Sequence, residues 1–139
     1  MRVAFDKPGV LYDVRQRRYL GTGSAFEIEI EPAVPRLLAL VENRISGLTL
    51  QTAPRARLGE MVTMQFRLPS APQLRSVAVV KVTSPSGREL RYYGGNQEIT
   101  KGTGSISFQT ARNDPAGTWR VSITETISGE TANAQITIR

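Results

Sequence analysis

A Pro/Gly turn that feeds a single tryptophan into an alternating run constrains this chain more than any other feature. The turn is Asn113-Asp114-Pro115-Ala116-Gly117-Thr118-Trp119, and an Arg-Val-Ser-Ile-Thr-Glu-Thr run follows it. Side chains alternate across a strand, so Trp119, Val121 and Ile123 point one way and Arg120, Ser122 and Thr124 the other. After Ser128-Gly129 the pattern returns, with Ala132, Ala134, Ile136 and Ile138 opposite Asn133, Gln135, Thr137 and Arg139. Two half-buried strands joined by a short turn predict the closing hairpin of an antiparallel β-sandwich. Trp119 heads the apolar face and is expected in the core rather than at a sugar-stacking rim.

Upstream of the hairpin the same period recurs. Residues 48–52, 61–68, 77–83, 89–93 and 105–110 all read as strands. The clearest places Val62, Met64, Phe66 and Leu68 inward and Thr63, Gln65 and Arg67 outward. Ser84-Pro85-Ser86-Gly87 carries the residues of a tight turn. With the hairpin this makes about seven strands in some 90 residues, the signature of an Ig-like or fibronectin III-like antiparallel β-sandwich.

Residues 1–46 read differently. Val10 to Val14 alternates, Ala25 to Ile30 sets Phe26, Ile28 and Ile30 against Glu27, Glu29 and Glu31, and Arg36 to Glu42 is Leu-rich. That run has helical propensity, but Pro32, Pro35 and Gly47 bracket it and favour a strand. Four strands in 45 residues make one sheet, with an apolar face and nothing of its own to cover it. Either the sheet packs on the second unit or its partner sheet lies upstream. The expectation is the latter: residues 1–46 end a partial β-sandwich, and residues 47–139 form the complete Ig-like one.

Composition removes whole classes of chemistry. Cys and His are both absent, which excludes thiol nucleophiles, Ser-His and Cys-His pairs and the usual zinc sites. Eighteen Lys and Arg against twelve acids give a net charge of +6. They are scattered from Arg2 to Arg139, with Arg15, Arg17 and Arg18 the densest cluster, so no nucleic-acid surface is expected. No apolar run reaches the roughly 20 residues of a membrane helix. Residues 2–8 read as strand and turn rather than as a signal-peptide core.

No catalytic constellation emerges. Glu27, Glu29 and Glu31 share an outward strand face, as solvated carboxylates do, rather than facing one another as glycoside chemistry requires. Asp13 is expected to accept hydrogen bonds in its hairpin, and Asp114 to cap its Pro turn. Calcium binding by Asn113 and Asp114 would need further oxygen ligands at recognisable spacing, and these are lacking. Gly94-Gly95 and Gly102-Thr103-Gly104 open no helix and read as loop hinges. The one exposed constellation with ligand-binding chemistry is Arg91, Tyr92, Tyr93 and Asn96, beside Arg88. Aromatic faces with guanidinium and amide donors suit a sugar. Tyr92 and Tyr93 are adjacent, so one of them is expected inside. No metal and no cofactor are predicted.

The segment from Gly9 to Gly21, with its Tyr12-Asp13-Val14 and Tyr19-Leu20-Gly21 phrases, is followed by Phe26 to Pro32 and Arg36 to Val41. Together these resemble the β-sandwich that follows the catalytic domain in many bacterial glycoside hydrolases. Residues 48–139 resemble Ig-like or macroglobulin-like modules of large secreted bacterial proteins, through Leu58-Gly59-Glu60, Val82 to Gly87 and Asp114 to Trp119. They share Ser-Pro-Ser-Gly and Gly-Thr-Trp phrases with proprotein-convertase P domains but lack the second Trp of the closing strand. The resemblance implies a non-catalytic accessory module, acting as spacer, stabiliser or docking surface, of a larger extracellular or periplasmic carbohydrate-active protein. Its partners would be an upstream catalytic domain of the same parent chain and polysaccharide, with no membrane contact. The alternative is a carbohydrate-binding or adhesive Ig-like domain.

Overall fold

The computed structural model describes all 139 residues. Eleven strands run in chain order: β1 (Arg2–Asp13), β2 (Arg18–Glu27), β3 (Leu38–Val41), β4 (Thr49–Thr52), β5 (Arg55–Ala56), β6 (Met61–Arg67), β7 (Ser76–Thr83), β8 (Gly95–Ile99), β9 (Thr103–Gln109), β10 (Gly117–Glu125) and β11 (Thr131–Ile138). A single 3₁₀ turn, Arg91–Tyr93, is the one helical element. The strands form sheets of order β2-β1-β3, β4-β6-β9 and β5-β11-β10-β7-β8.

The last two sheets make an Ig-like antiparallel β-sandwich. Its first strand divides between the layers: β4 pairs with β6, then the chain crosses over and β5 runs parallel beside β11. The inner faces follow the period-two pattern. Val62, Met64 and Phe66 of β6 and Ile106 and Phe108 of β9 meet Ala78, Val80 and Val82 of β7, Trp119, Val121 and Ile123 of β10, and Ile136 and Ile138 of β11. Burying these side chains stabilises the sandwich by about 25 cal/mol per Å² of apolar surface. Trp119 is 0% exposed. Its indole N–H donates to the Pro115 carbonyl at 2.8 Å, so the Pro/Gly turn satisfies the polar edge of the residue it delivers.

Residues 2–41 form the third sheet. β1 pairs with both β2 and β3, and its register against β2 shifts between Ala4 and Gly9, where four residues oppose one. Strand parity then divides the sheet's apolar residues. Val10 and Tyr12 join the main core, together with Ile45 and Leu48. Leu11, Phe26 and Ile28 form a separate small cluster, flanked by half-buried Val3, Phe5, Leu20, Leu38 and Leu40. One face of the sheet therefore packs on the sandwich, which is the arrangement ranked second on sequence grounds.

Three sequence expectations change. The segment 89–93 is not a strand: Glu89 makes one isolated bridge to Thr83, and the 3₁₀ turn follows. The strand pairing with β7 is β8, immediately after, in a segment read as a turn because of Gly94 and Gly95. Gly94 is there for contact, since a Cβ would lie 2.4 Å from the Val80 carbonyl oxygen. The sandwich accordingly has eight strands, counting the two-residue β5. The N-terminal segment has three strands rather than four, because residues 2–13 are one irregular strand. Finally, the inward alternation that leaves β2 stops just past it at Ile28, which exchanges two backbone hydrogen bonds with Met1, and Ile30 is exposed.

Candidate functional site

The 3₁₀ turn between β7 and β8 carries Arg91, Tyr92 and Tyr93, and β8 brings Asn96 opposite Val79. The turn separates the two tyrosines as sharply as a strand would. Tyr93 is buried; its ring stacks on Phe108 at 4.8 Å between centroids and lies 5.6 Å from Trp119. Its hydroxyl donates to Asp114 Oδ2 and accepts from the Ala111 amide at 3.0 Å. The same Asp114 oxygen accepts from the Ala111 amide at 2.7 Å. Asp114 thus caps its turn, as expected, and also ties that turn to Tyr93. Burial, followed by the Asp114 hydrogen bond, pushes the Tyr93 hydroxyl up to about 12.

These contacts commit Tyr93 to a structural clamp. Tyr92 is left as the available aromatic of the set, 66% exposed, with its ring 4.5 Å from that of Tyr93. Arg91 extends into solvent with Glu89 4.0 Å away, and Asn96 is exposed. The structure thus leaves Arg91 and Tyr92 exposed on the turn and Asn96 exposed on β8, and it buries Tyr93.

A second polar feature joins the N-terminal sheet to the sandwich. The Tyr12 hydroxyl accepts the Ile45 amide at 2.9 Å, and the Arg44 guanidinium lies 4.4 Å above the Tyr19 ring. Ser46 and Ser70 bond reciprocally: the Ser46 amide donates to Ser70 Oγ at 2.9 Å, and that hydroxyl donates to the Ser46 carbonyl at 2.7 Å. A cleft of about 390 Å³ lies here, between Tyr12, Tyr19 and Arg44 on one side and Ser128 and Glu130 on the other. Asp13 supports the hairpin beside it, accepting from the Gln16 amide at 3.0 Å and Arg36 at 2.8 Å. Burial alone would raise the Asp13 carboxyl, but the Gln16 amide and Arg36 outweigh it and hold it below the ordinary range.

Glu125 is the polar residue whose role is not evident from sequence. It is 0% exposed at the end of β10. It accepts from the Ser76 hydroxyl, the Ile127 amide at 3.0 Å, and the Ser128 amide and hydroxyl at 2.7 and 2.6 Å. Four donors satisfy a buried carboxylate and fix the β10–β11 turn. The available signal was parity, because Glu125 continues the inward series Trp119, Val121, Ile123. Its partner Ser76 is 49 residues away, which no local pattern displays.

No group of three or more His, Cys, Asp or Glu side chains converges closely enough to hold a metal ion. Glu27, Glu29 and Glu31 remain exposed.

No protein-family model and no curated protein matches the chain. Among solved structures it is similar to the CARDB domain of a Pyrococcus furiosus protein crystallised in complex with di-metal ions. That likeness has 9% identity and a TM-score of 0.43, and covers 66% of this chain and 85% of the other. The chain is an all-β, Ig-like sandwich module on the strength of its own strand order.

Proposed function

We propose that this chain is a non-catalytic accessory module of a larger secreted carbohydrate-active protein, holding its neighbours at a fixed spacing and offering a docking surface. The observation that carries this reading is the pinned connection between the two parts. Flexible linkers have few contacts crossing them and allow relative motion. Here Ile45 and Ser46 hydrogen-bond to Tyr12 and Ser70, Arg44 lies over the Tyr19 ring, and Val10 and Tyr12 enter the sandwich core. A force applied at one end is transmitted through packed side chains rather than absorbed by a hinge.

The carbohydrate part of the reading draws on the resemblance of residues 9–41 to the sandwich that follows glycoside hydrolase catalytic domains. Those quoted segments contribute β1, β2 and β3 of a single sheet. On this reading the partners are an upstream catalytic domain of the same parent chain and polysaccharide, and the location is extracellular or periplasmic. The exposed Tyr92 ring favours sugar contact as a second role.

Cell fractionation with an antibody raised against the chain tests the proposal. Detection in the medium or periplasm on a polypeptide well above 15.3 kDa is expected. Detection solely in the cytoplasm, at the size of this chain alone, would reject it.

A further inference from the structure

On the outer face of the five-stranded sheet, the Ser84–Gly87 turn and strands β10 and β11 enclose a groove of about 540 Å³. This is within the roughly 300–1,000 Å³ typical of small-ligand sites. Its floor is set by register. Arg120 lies opposite Thr83 on β7 and Gln135 on β11, and Thr118 follows on the same face. One wall is the turn, where the Ser84 and Ser86 hydroxyls are 3.0 Å apart and the Gly87 amide bonds the Ser84 carbonyl at 3.0 Å. Gly117 fixes that wall in place. It adopts a φ of +129°, and a Cβ there would meet the Pro85 ring at 2.8 Å.

The lining is guanidinium, hydroxyl and amide apart from the Pro85 ring of the turn, with no aromatic side chain. Arg120 has no carboxylate within 4.0 Å, and neither does Lys81, which lies opposite Ser122 in the next rank of the same face. The nearby acids are engaged elsewhere: Glu98 pairs with Arg75, and Glu89 lies 4.0 Å from Arg91. Two free cations therefore stand beside a row of neutral hydrogen-bonding groups.

We infer that this groove binds an acidic polysaccharide, with Arg120 and Lys81 taking its anionic groups and Thr83, Ser86, Thr118 and Gln135 taking its hydroxyls. A guanidinium accepts a carboxylate or sulfate through paired N–H bonds. Serine, threonine and glutamine groups match the alternating donors and acceptors of sugar hydroxyls. A nucleic acid would call for stacking rings and a denser cationic track, and the groove offers neither. The inference uses only the chemistry of this face, so its failure and the failure of the secreted-module reading are separate results.

Titration calorimetry at about 150 mM salt, where long-range charge effects are screened, provides the test. The probes are polygalacturonate, dextran sulfate, neutral dextran and a single-stranded oligonucleotide. Saturable binding is expected with one or both acidic polysaccharides, the pair distinguishing a carboxylate from a sulfate as the anion. Arg120→Gln should weaken it by about tenfold or more, the loss of one paired charged contact. Lys81→Gln should weaken it as well, and it carries the test if Arg120→Gln does not fold. Arg67→Gln, on the opposite sheet, should leave it unchanged. Equal binding of neutral dextran, tighter binding of the oligonucleotide, no binding at all, or an equal loss in Arg67→Gln would overturn the assignment.

Discussion

Trp119→Ala is expected to lower the unfolding free energy by about 3–5 kcal/mol, the range for removing a large aromatic side chain from a packed core. The indole is fully buried, lies 5.6 Å from the Tyr93 ring and 6.5 Å from that of Phe108, and bonds the Pro115 carbonyl. Alanine would leave a cavity between the two sheets and an unpartnered carbonyl in the 113–117 turn. Urea titration followed by circular dichroism measures the effect. For a domain with a total stability of about 5–15 kcal/mol, such a loss brings the variant close to unfolding at room temperature. Trp119→Phe should recover most of it, leaving about 1 kcal/mol for the lost hydrogen bond. A loss below about 1 kcal/mol for Trp119→Ala would mean that the sheets do not close around this residue.

The second large effect is alkaline. In an unfolded chain the Tyr93 hydroxyl ionises near its ordinary value of 10.0, whereas in the fold it is held up to about 12 by burial and by Asp114. The folded state therefore keeps a proton that the unfolded state releases. The resulting stabilisation is complete below pH 10 and is lost as the pH rises to about 12. Two pH units correspond to about 3 kcal/mol. Tyr93→Phe should be less stable than the parent at pH 7, since it leaves Asp114 and the Ala111 amide without their hydroxyl partner. Its stability should then decline less steeply across pH 10–12. Parallel denaturant titrations at pH 7 and across that window measure both. An identical alkaline slope in the two proteins would show that the fold does not hold the Tyr93 hydroxyl above its ordinary value.

The alternation of large apolar residues made the sandwich readable. Met61–Arg67, Ser76–Thr83 and the β10–β11 hairpin bury the large residues that their period-two pattern places inside, while Ala132 and Ala134 of β11 are half-buried. The pattern failed where the inward residues were few. β8 reads Gly-Asn-Gln-Glu-Ile and buries only Ile99, so its pairing with β7 has no apolar signature. Residues 89–93 carry Leu90 and Tyr93 three apart, both buried, as a helical turn places them and as a strand does not. For the candidate sites, adjacency alone indicated that one of Tyr92 and Tyr93 must be internal. The loop at Asp114, far along the chain, determined which one. The Arg120 groove was hidden for a related reason. Its outward parity was plain, but its wall comes from a turn more than 30 residues earlier, and only the fold brings them together.

Residues 2–41 and the sandwich form a single body, joined through Val10, Tyr12, Ile45 and Leu48. Differential scanning calorimetry of the full chain addresses this directly. One transition is expected, with equal calorimetric and van't Hoff enthalpies, as a single cooperative unit requires. Two resolved transitions, the first assigned to the N-terminal sheet by its disappearance from a chain of residues 48–139, would contradict it.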